Sequence, residues 1–206
     1  MRKIPTQARA WHTLRAIFDA TLQVLERHGE ARLTTARIAE RAGCSVGTLY
    51  QYFPDKDALL LAMIDLETER VMAELAQLLQ DGVAQGAPAQ TLIGPYIRVL
   101  IERFGLGGPG RRALLKRAWR LDHRPEVLAR IQLGSARISQ ALAARADPHM
   151  PQPDAETLFI LSRTVLGAIR SAVLEDHPEL GQPAFEARLV ALAERMLRQP
   201  AFSADG

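Results

Sequence analysis

From Thr34 to Lys56 the chain carries hydroxyls, an amide and a glycine at spacings that suit contact with a nucleic-acid duplex. In the stretch 45–52, Ser45, Gly47, Thr48, Gln51 and Tyr52 are expected to face outward, with Tyr50 near the boundary. Val46, Leu49 and Phe53 recur at three- and four-residue spacing and are expected to point inward. The hydroxyls of Thr48, Tyr50 and Tyr52 can donate to phosphate oxygens, and the Gln51 amide can pair with an adenine edge. Gly47 has no side chain, so backbone there can approach a groove closely. The same face holds no Arg or Lys and cannot form the two-pronged contact with guanine. Arg37 is expected to add a contact from the preceding helix. Thr35, Tyr50, Tyr52, Lys56 and a basic arm of Arg2, Lys3 and Arg9 are expected to grip phosphates. The candidate contact set is therefore Thr35, Arg37, Ser45, Val46, Gly47, Thr48, Tyr50, Gln51, Tyr52 and Lys56.

Two short helices must position these groups. Ile38, Ala39 and Ala42 share one face of a helix over 35–42, begun by Thr34 or Thr35, either of which can cap its free N–H groups. Gly43 supplies a positive φ for a sharp turn, and Ser45 caps the second helix over 46–52. Two helices joined by a three-residue turn describe a helix-turn-helix. Pro54 ends the second one. Lys56 opens the next, where a cation opposes the helix dipole at a cost of about 0.3 kcal/mol that a phosphate contact would offset.

Helical periodicity continues on both sides, with no alternating stretch to argue for a strand. Leu14, Ile17, Phe18, Thr21, Leu22 and Leu25 fall on one face of a first helix that ends at Gly29. A long helix follows from Asp57 to about Leu79, with Leu60, Ile64, Val71, Leu75 and Leu78 as its buried stripe. Gly- and Pro-rich breakers at 81–89, 104–110, 147–153 and 176–184 then separate helical segments near 90–104, 111–121, 125–146, 154–175 and 184–198. The expected fold is all-α with about nine helices. Residues 1–56 form a three-helix head, 57–198 a helical body, and 199–206 a frayed tail.

The pattern TT-x-x-IA-x-x-AG-x-S-x-GTLY-x-YF-x-x-K-x-x-LL closely resembles the N-terminal signature of TetR-family regulators. Thr34, Thr35, Ile38, Ala39, Ala42, Gly43, Ser45, Gly47 to Tyr50, Tyr52, Phe53, Lys56, Leu59 and Leu60 carry the match. It is detailed over residues 10–60 and beyond them rests only on the number and lengths of helices. The resemblance implies a homodimeric transcription regulator that binds double-stranded DNA at a palindromic operator, and the cytoplasm is its expected location. It also implies a variable body that holds a small-molecule effector, with repression relieved by that ligand as the commoner mode. A nonspecific, architectural DNA-binding protein is the alternative.

Composition agrees with that class without specifying it. Of 206 residues, 48% are hydrophobic and 24% charged, the balance of an ordinary globular chain. There are 26 Lys and Arg against 23 Asp and Glu; residues 1–60 hold nine against six, leaving seventeen of each beyond. The excess positive charge thus lies in the first third, where a polyanion would be met. A single cysteine, Cys44, excludes an internal disulfide and reads as a small apolar filler. Histidines 12, 28, 123, 149 and 177 show no spacing for a metal, and no cofactor is expected. No nucleophile–base pair or phosphate-binding glycine loop argues for an enzyme. The longest apolar run, Ala58 to Ile64, falls far short of a membrane span, and the basic N-terminus lacks the apolar stretch of a secretory signal.

In the body, Tyr96, Phe104, Trp119 and His123 are candidate pocket residues, with ordinary core packing the alternative for each. Arg111, Arg112, Lys116, Arg117 and Arg120 read as a solvated helix face. Leu161, Val165, Ile169 and Val173, with Leu189, Leu192 and Met196 of the final helix, form apolar stripes. The family resemblance assigns those helices to a four-helix dimer interface; packing within one chain is the alternative.

Overall fold

The computed structural model describes residues 8–120, 132 and 153–198. Among them are α1 (Ala8–His28), α2 (Thr35–Ala42), α3 (Val46–Tyr52), α4 (Lys56–Ala84), α5 (Ala89–Leu100), α6 (Pro109–Trp119), α7 (Ala155–Leu174) and α8 (Pro183–Arg198). A 3₁₀ turn (Glu30–Arg32) follows α1, a π-helical turn (Ile101–Gly105) follows α5, and no strand occurs among the described residues. The all-helical expectation holds. The segment expected over 125–146, His123, His149, the residues Arg2 and Lys3 and the 199–206 tail lie outside the described residues.

The chain divides into two compact units, one from Met1–Glu69 and Gly107–Leu121, the other from Arg70–Leu106 and Asp122–Gly206. The division falls inside α4, not at residue 56. Leu59, Leu60 and Met63 of α4 are buried in the same core as Leu14, Ile17, Val24 and Leu25 of α1, Ile38 of α2 and Leu49 and Phe53 around α3. The change from short helices to a long one marks a change in helix length, and packing does not follow it.

In the first unit α1 shows its expected face. Leu14, Ile17, Thr21 and Leu25 are buried, and the Thr21 hydroxyl is satisfied by donating to the carbonyl of Ile17 at 2.7 Å. Each such leucine or isoleucine contributes about 1.5–3 kcal/mol of burial. The Phe18 and Phe53 rings lie 6.0 Å apart between centroids. Beyond α1, Gly29 turns the chain with φ 71°.

α6 belongs to this unit too, which the sequence reading did not foresee. Leu114 joins its core. A Cβ on Gly110 would lie 2.6 Å from the Leu22 carbonyl oxygen, so α6 meets α1 backbone to backbone. Arg111 pairs with Glu67. Arg117 bridges Glu30 at 3.1 Å and Asp57 at 2.9 Å, and Arg120 reaches Glu30 at 3.5 Å. The cluster expected to be a solvated face is therefore largely a set of ion pairs. Their partners lie 44 to 90 residues away along the chain, beyond the reach of a periodicity argument.

In the second unit Val71, Leu75, Ile97, Leu100, Ile101, Val165, Ile169, Leu189 and Ala193 form the core. α4 runs five residues past its expected end, and Leu79 is buried where Leu78 was expected. Bidentate pairs join Arg98 to Glu186 and Arg103 to Glu74. α7 is long and apolar enough by composition to cross a membrane, yet Leu158, Val165, Ile169, Ala172 and Val173 are buried inward.

That burial corrects the expected dimer stripe. Val165, Ile169, Val173 and Leu189 are core residues of their own unit and present nothing to a second copy. Leu161 and Met196 are half-buried and Leu192 is exposed. The exposed apolar side chains of α7 and α8 are Phe159, Ile160, Leu174 and Leu192, and the Arg163 guanidinium lies 5.1 Å from the Phe159 ring centroid. The expected pocket set does not come together in one unit either. Tyr96 and Phe104 pack against the second core, Trp119 is on α6 of the first, and His123 is outside the described residues.

Candidate nucleic-acid interface

The helix-turn-helix is held by its caps. Thr34 Oγ1 accepts from the backbone N–H of Arg37 at 3.3 Å, which settles which threonine starts α2. Gly43 sits at φ 67°, ψ 31°, the left-handed conformation that glycine adopts without a Cβ penalty. The Cys44 N–H then donates to the Ala39 carbonyl at 3.0 Å, closing the helix. Ser45 Oγ accepts from the Thr48 N–H at 3.0 Å and lies 2.9 Å from the Thr48 hydroxyl. Behind this turn Ile38, Ala39, Leu49 and Phe53 are almost completely buried. α3 is thus fixed from one side and capped at its start, which leaves its other side to meet a partner.

That side consists of Ser45, Val46, Gly47, Tyr50 and Gln51, all exposed, with Thr48 half-buried. Two positions differ from expectation. Val46 is exposed (38%), and Tyr52 is buried (9%), its ring 6.4 Å from that of Phe53. Leu49 and Phe53 point inward as expected, and Tyr52 rather than Val46 completes their three-and-four spacing. Tyr52 is a core residue of the head, whereas Val46 offers a small apolar contact of the kind a thymine methyl accepts.

Around α3 the other candidates are engaged locally. With Thr34 as the cap, Thr35 is left to share a hydrogen bond with the Tyr50 hydroxyl at 3.5 Å, joining the first turn of α2 to α3. No linear signal relates these two, fifteen residues apart. The exposed Arg37 guanidinium donates to the Arg32 carbonyl at 3.4 Å, which draws it toward the loop before α2. Lys56 is half-buried, and its ammonium donates to the Leu33 carbonyl at 3.3 Å. That bond gives the lysine a structural role at a helix start that otherwise disfavours it. An ammonium has three donors, so two N–H groups remain for a phosphate.

Cys44 is half-buried against the head core, and burial pushes its thiol pKa up, as expected of an apolar filler. Among the described residues no group of His, Cys, Asp and Glu is arranged to hold a metal. Sequence reasoning also passed over Trp11, an exposed ring on the first turn of α1.

Comparisons place this geometry in a family. Residues 17–63 match the model for bacterial regulatory proteins of the tetR family, a stretch that covers the second half of α1, then α2, α3 and the start of α4. The chain is 40% identical over 76 residues to the HTH-type transcriptional repressor KstR of Mycolicibacterium smegmatis, covering 37% of this chain and 36% of that protein. It is 36% identical over 110 residues to the A-factor receptor protein of Streptomyces griseus, covering 50% of this chain and 40% of the receptor. The matched segment thus spans two fifths or less of those relatives. The fold extends further: a TetR transcription regulator from Haloarcula marismortui superposes with a TM-score of 0.62 at 21% identity, covering 90% of this chain and 96% of the other. The tetR-family signature thus lies on the capped helix-turn-helix, and the fold of the chain is similar to that of the solved TetR regulator.

Proposed function

We propose that this protein is a sequence-specific DNA-binding transcription regulator, a cytoplasmic homodimeric repressor released from its operator by a small molecule. The observation that carries the reading is the exposed, uncharged face of Ser45, Val46, Gly47, Tyr50 and Gln51 on a helix braced from behind. An uncharged face reads bases by shape, apolar contact and the Gln51 amide, while cations outside it supply salt-dependent attraction to phosphates.

The reading places the dimer interface on the apolar surface of α7 and α8. Phe159, Ile160, Leu174 and Leu192 are exposed large apolar side chains on these two helices, apolar surface that a second copy would cover. A two-fold dimer would present two copies of α3 to half-sites about 34–36 Å apart. Effector control would act through α4, which gives Leu59, Leu60 and Met63 to one core and Val71 and Leu75 to the other. A ligand shifts that helix only if it binds two conformations with different affinity.

Selection of bound duplexes from a random pool tests the reading. The expected result is enrichment of a two-fold symmetric site. Equal retention of all sequences at fixed salt would favour the nonspecific, architectural alternative.

A further inference from the structure

One buried group of the second unit is left without a partner. The Tyr96 hydroxyl is shut off from solvent and makes no hydrogen bond. Its ring packs against the core of Val71, Leu75, Ile97, Leu100 and Ile101. An unmade bond on a buried hydroxyl costs stability, and a phenylalanine would fill the same space without that cost. A hydroxyl kept under such conditions has a use when something supplies its partner.

The surroundings define what that partner can be. Tyr96, Leu100 and Phe104 recur every four residues along α5 and the π-helical turn that continues it, so they share a face. π-helical turns widen the backbone and recur at functional sites. Among the described residues, no charged side chain is buried, and apart from tyrosines the sole buried polar one is Thr21 of the first unit. Arg98 and Arg103, the cations that flank this stretch, are each engaged by a carboxylate toward solvent. A charged ligand entering here would lose its hydration and find no buried counter-charge among the described residues. A neutral one would lose little and would gain one hydrogen bond.

We infer that Tyr96 is a ligand-binding residue of the second unit, and that its ligand is an uncharged, mainly apolar molecule carrying an oxygen acceptor such as a ketone or ester carbonyl. The inference rests on the ligand-responsive reading above and names the chemical class that reading leaves open. Burial raises the Tyr96 pKa far above its usual value, so the hydroxyl remains an O–H donor throughout the working range of pH.

Three probes of matched length test it on the full-length protein: decan-2-one, undecane and decanoate, each titrated calorimetrically into wild type and Tyr96→Phe. Wild type is expected to bind the ketone about tenfold more tightly than the hydrocarbon, and decanoate more weakly than the ketone. Tyr96→Phe should lose that tenfold preference, keep its affinity for undecane and melt at the same temperature as wild type or higher. Equal ketone affinity in the two proteins, tighter binding of decanoate, or binding of none of the three would overturn the inference. Retention of a selected DNA duplex, followed in the same samples, separates the two levels. Tyr96-dependent ketone binding without DNA release would sink the effector reading alone, whereas release by decanoate and not by the ketone would sink the ligand class alone.

Discussion

The Lys56 ammonium donates to the carbonyl of Leu33 across 3.3 Å, joining the start of α4 to the loop that leads into α2. The bond holds the entrance of the helix-turn-helix and leaves two of the lysine's donors unused. Lys56→Ala is expected to cost about 0.5–1.5 kcal/mol of stability in urea titrations. It should also weaken binding to every duplex alike and lower the salt slope of log K by about one unit. Unequal losses across duplexes would move Lys56 from phosphate grip to base reading.

Gln51 is exposed and its side chain makes no hydrogen bond with the described residues, so its substitution separates recognition from folding. Gln51→Ala should leave the melting temperature within about a degree of wild type, since surface changes usually stay within ±0.5 kcal/mol. Duplex selection with the variant should relax base preference at one or two positions per half-site. An unchanged selected sequence would remove Gln51 from the reading surface.

Gly110 lies against the Leu22 carbonyl so closely that a Cβ would stand 2.6 Å from that oxygen. The obstacle is backbone, which cannot rotate away. Gly110→Ala is therefore expected to destabilise the protein by about 1–3 kcal/mol, read from the urea midpoint. A neutral result would mean that α6 does not seat on α1 as described.

Much of the head was legible in the sequence because its signals are local. Thr34, Gly43 and Ser45 each sit at a cap or turn whose chemistry reaches only three or four residues. The phase of α3 was harder to read: with seven residues, a stripe anchored on Val46 or on Tyr52 fits the pattern equally, and packing against Phe53 decides it. On α7 and α8 the apolar stripes are legible but their partner is not. A hydrophobic stripe looks the same whether Val165 and Ile169 meet their own chain or a second copy. The role of α6 was not legible at all, since Arg117 finds Glu30 and Asp57 only after folding.

α7 offers a test by pH. Asp154 caps it by accepting the Thr157 backbone N–H at 2.6 Å, and that bond holds the Asp154 carboxyl below its usual pKa of 3.8. A depressed folded pKa gives stability that is fully present above the unfolded value and is lost as pH falls through the folded one. Asp154→Asn keeps an oxygen acceptor and has no charge to lose. The melting-temperature gap between wild type and Asp154→Asn should be constant above about pH 5 and shrink steadily below pH 4. A gap that widens in acid would contradict the capping role.

The claim on which the functional account stands is that the outer face of α3 lies against DNA, and Gly47 tests it most directly. A Cβ there meets only Ser45 Oγ at 3.6 Å, an ordinary contact, so the folded protein has room for alanine. In a helix, Gly→Ala should raise stability by about 0.5–1 kcal/mol. The measurement is the affinity of Gly47→Ala for the selected duplex beside its thermal melting. The account predicts a melting temperature equal to or above wild type together with a tenfold or greater loss of DNA affinity; undiminished affinity in the folded variant would contradict it.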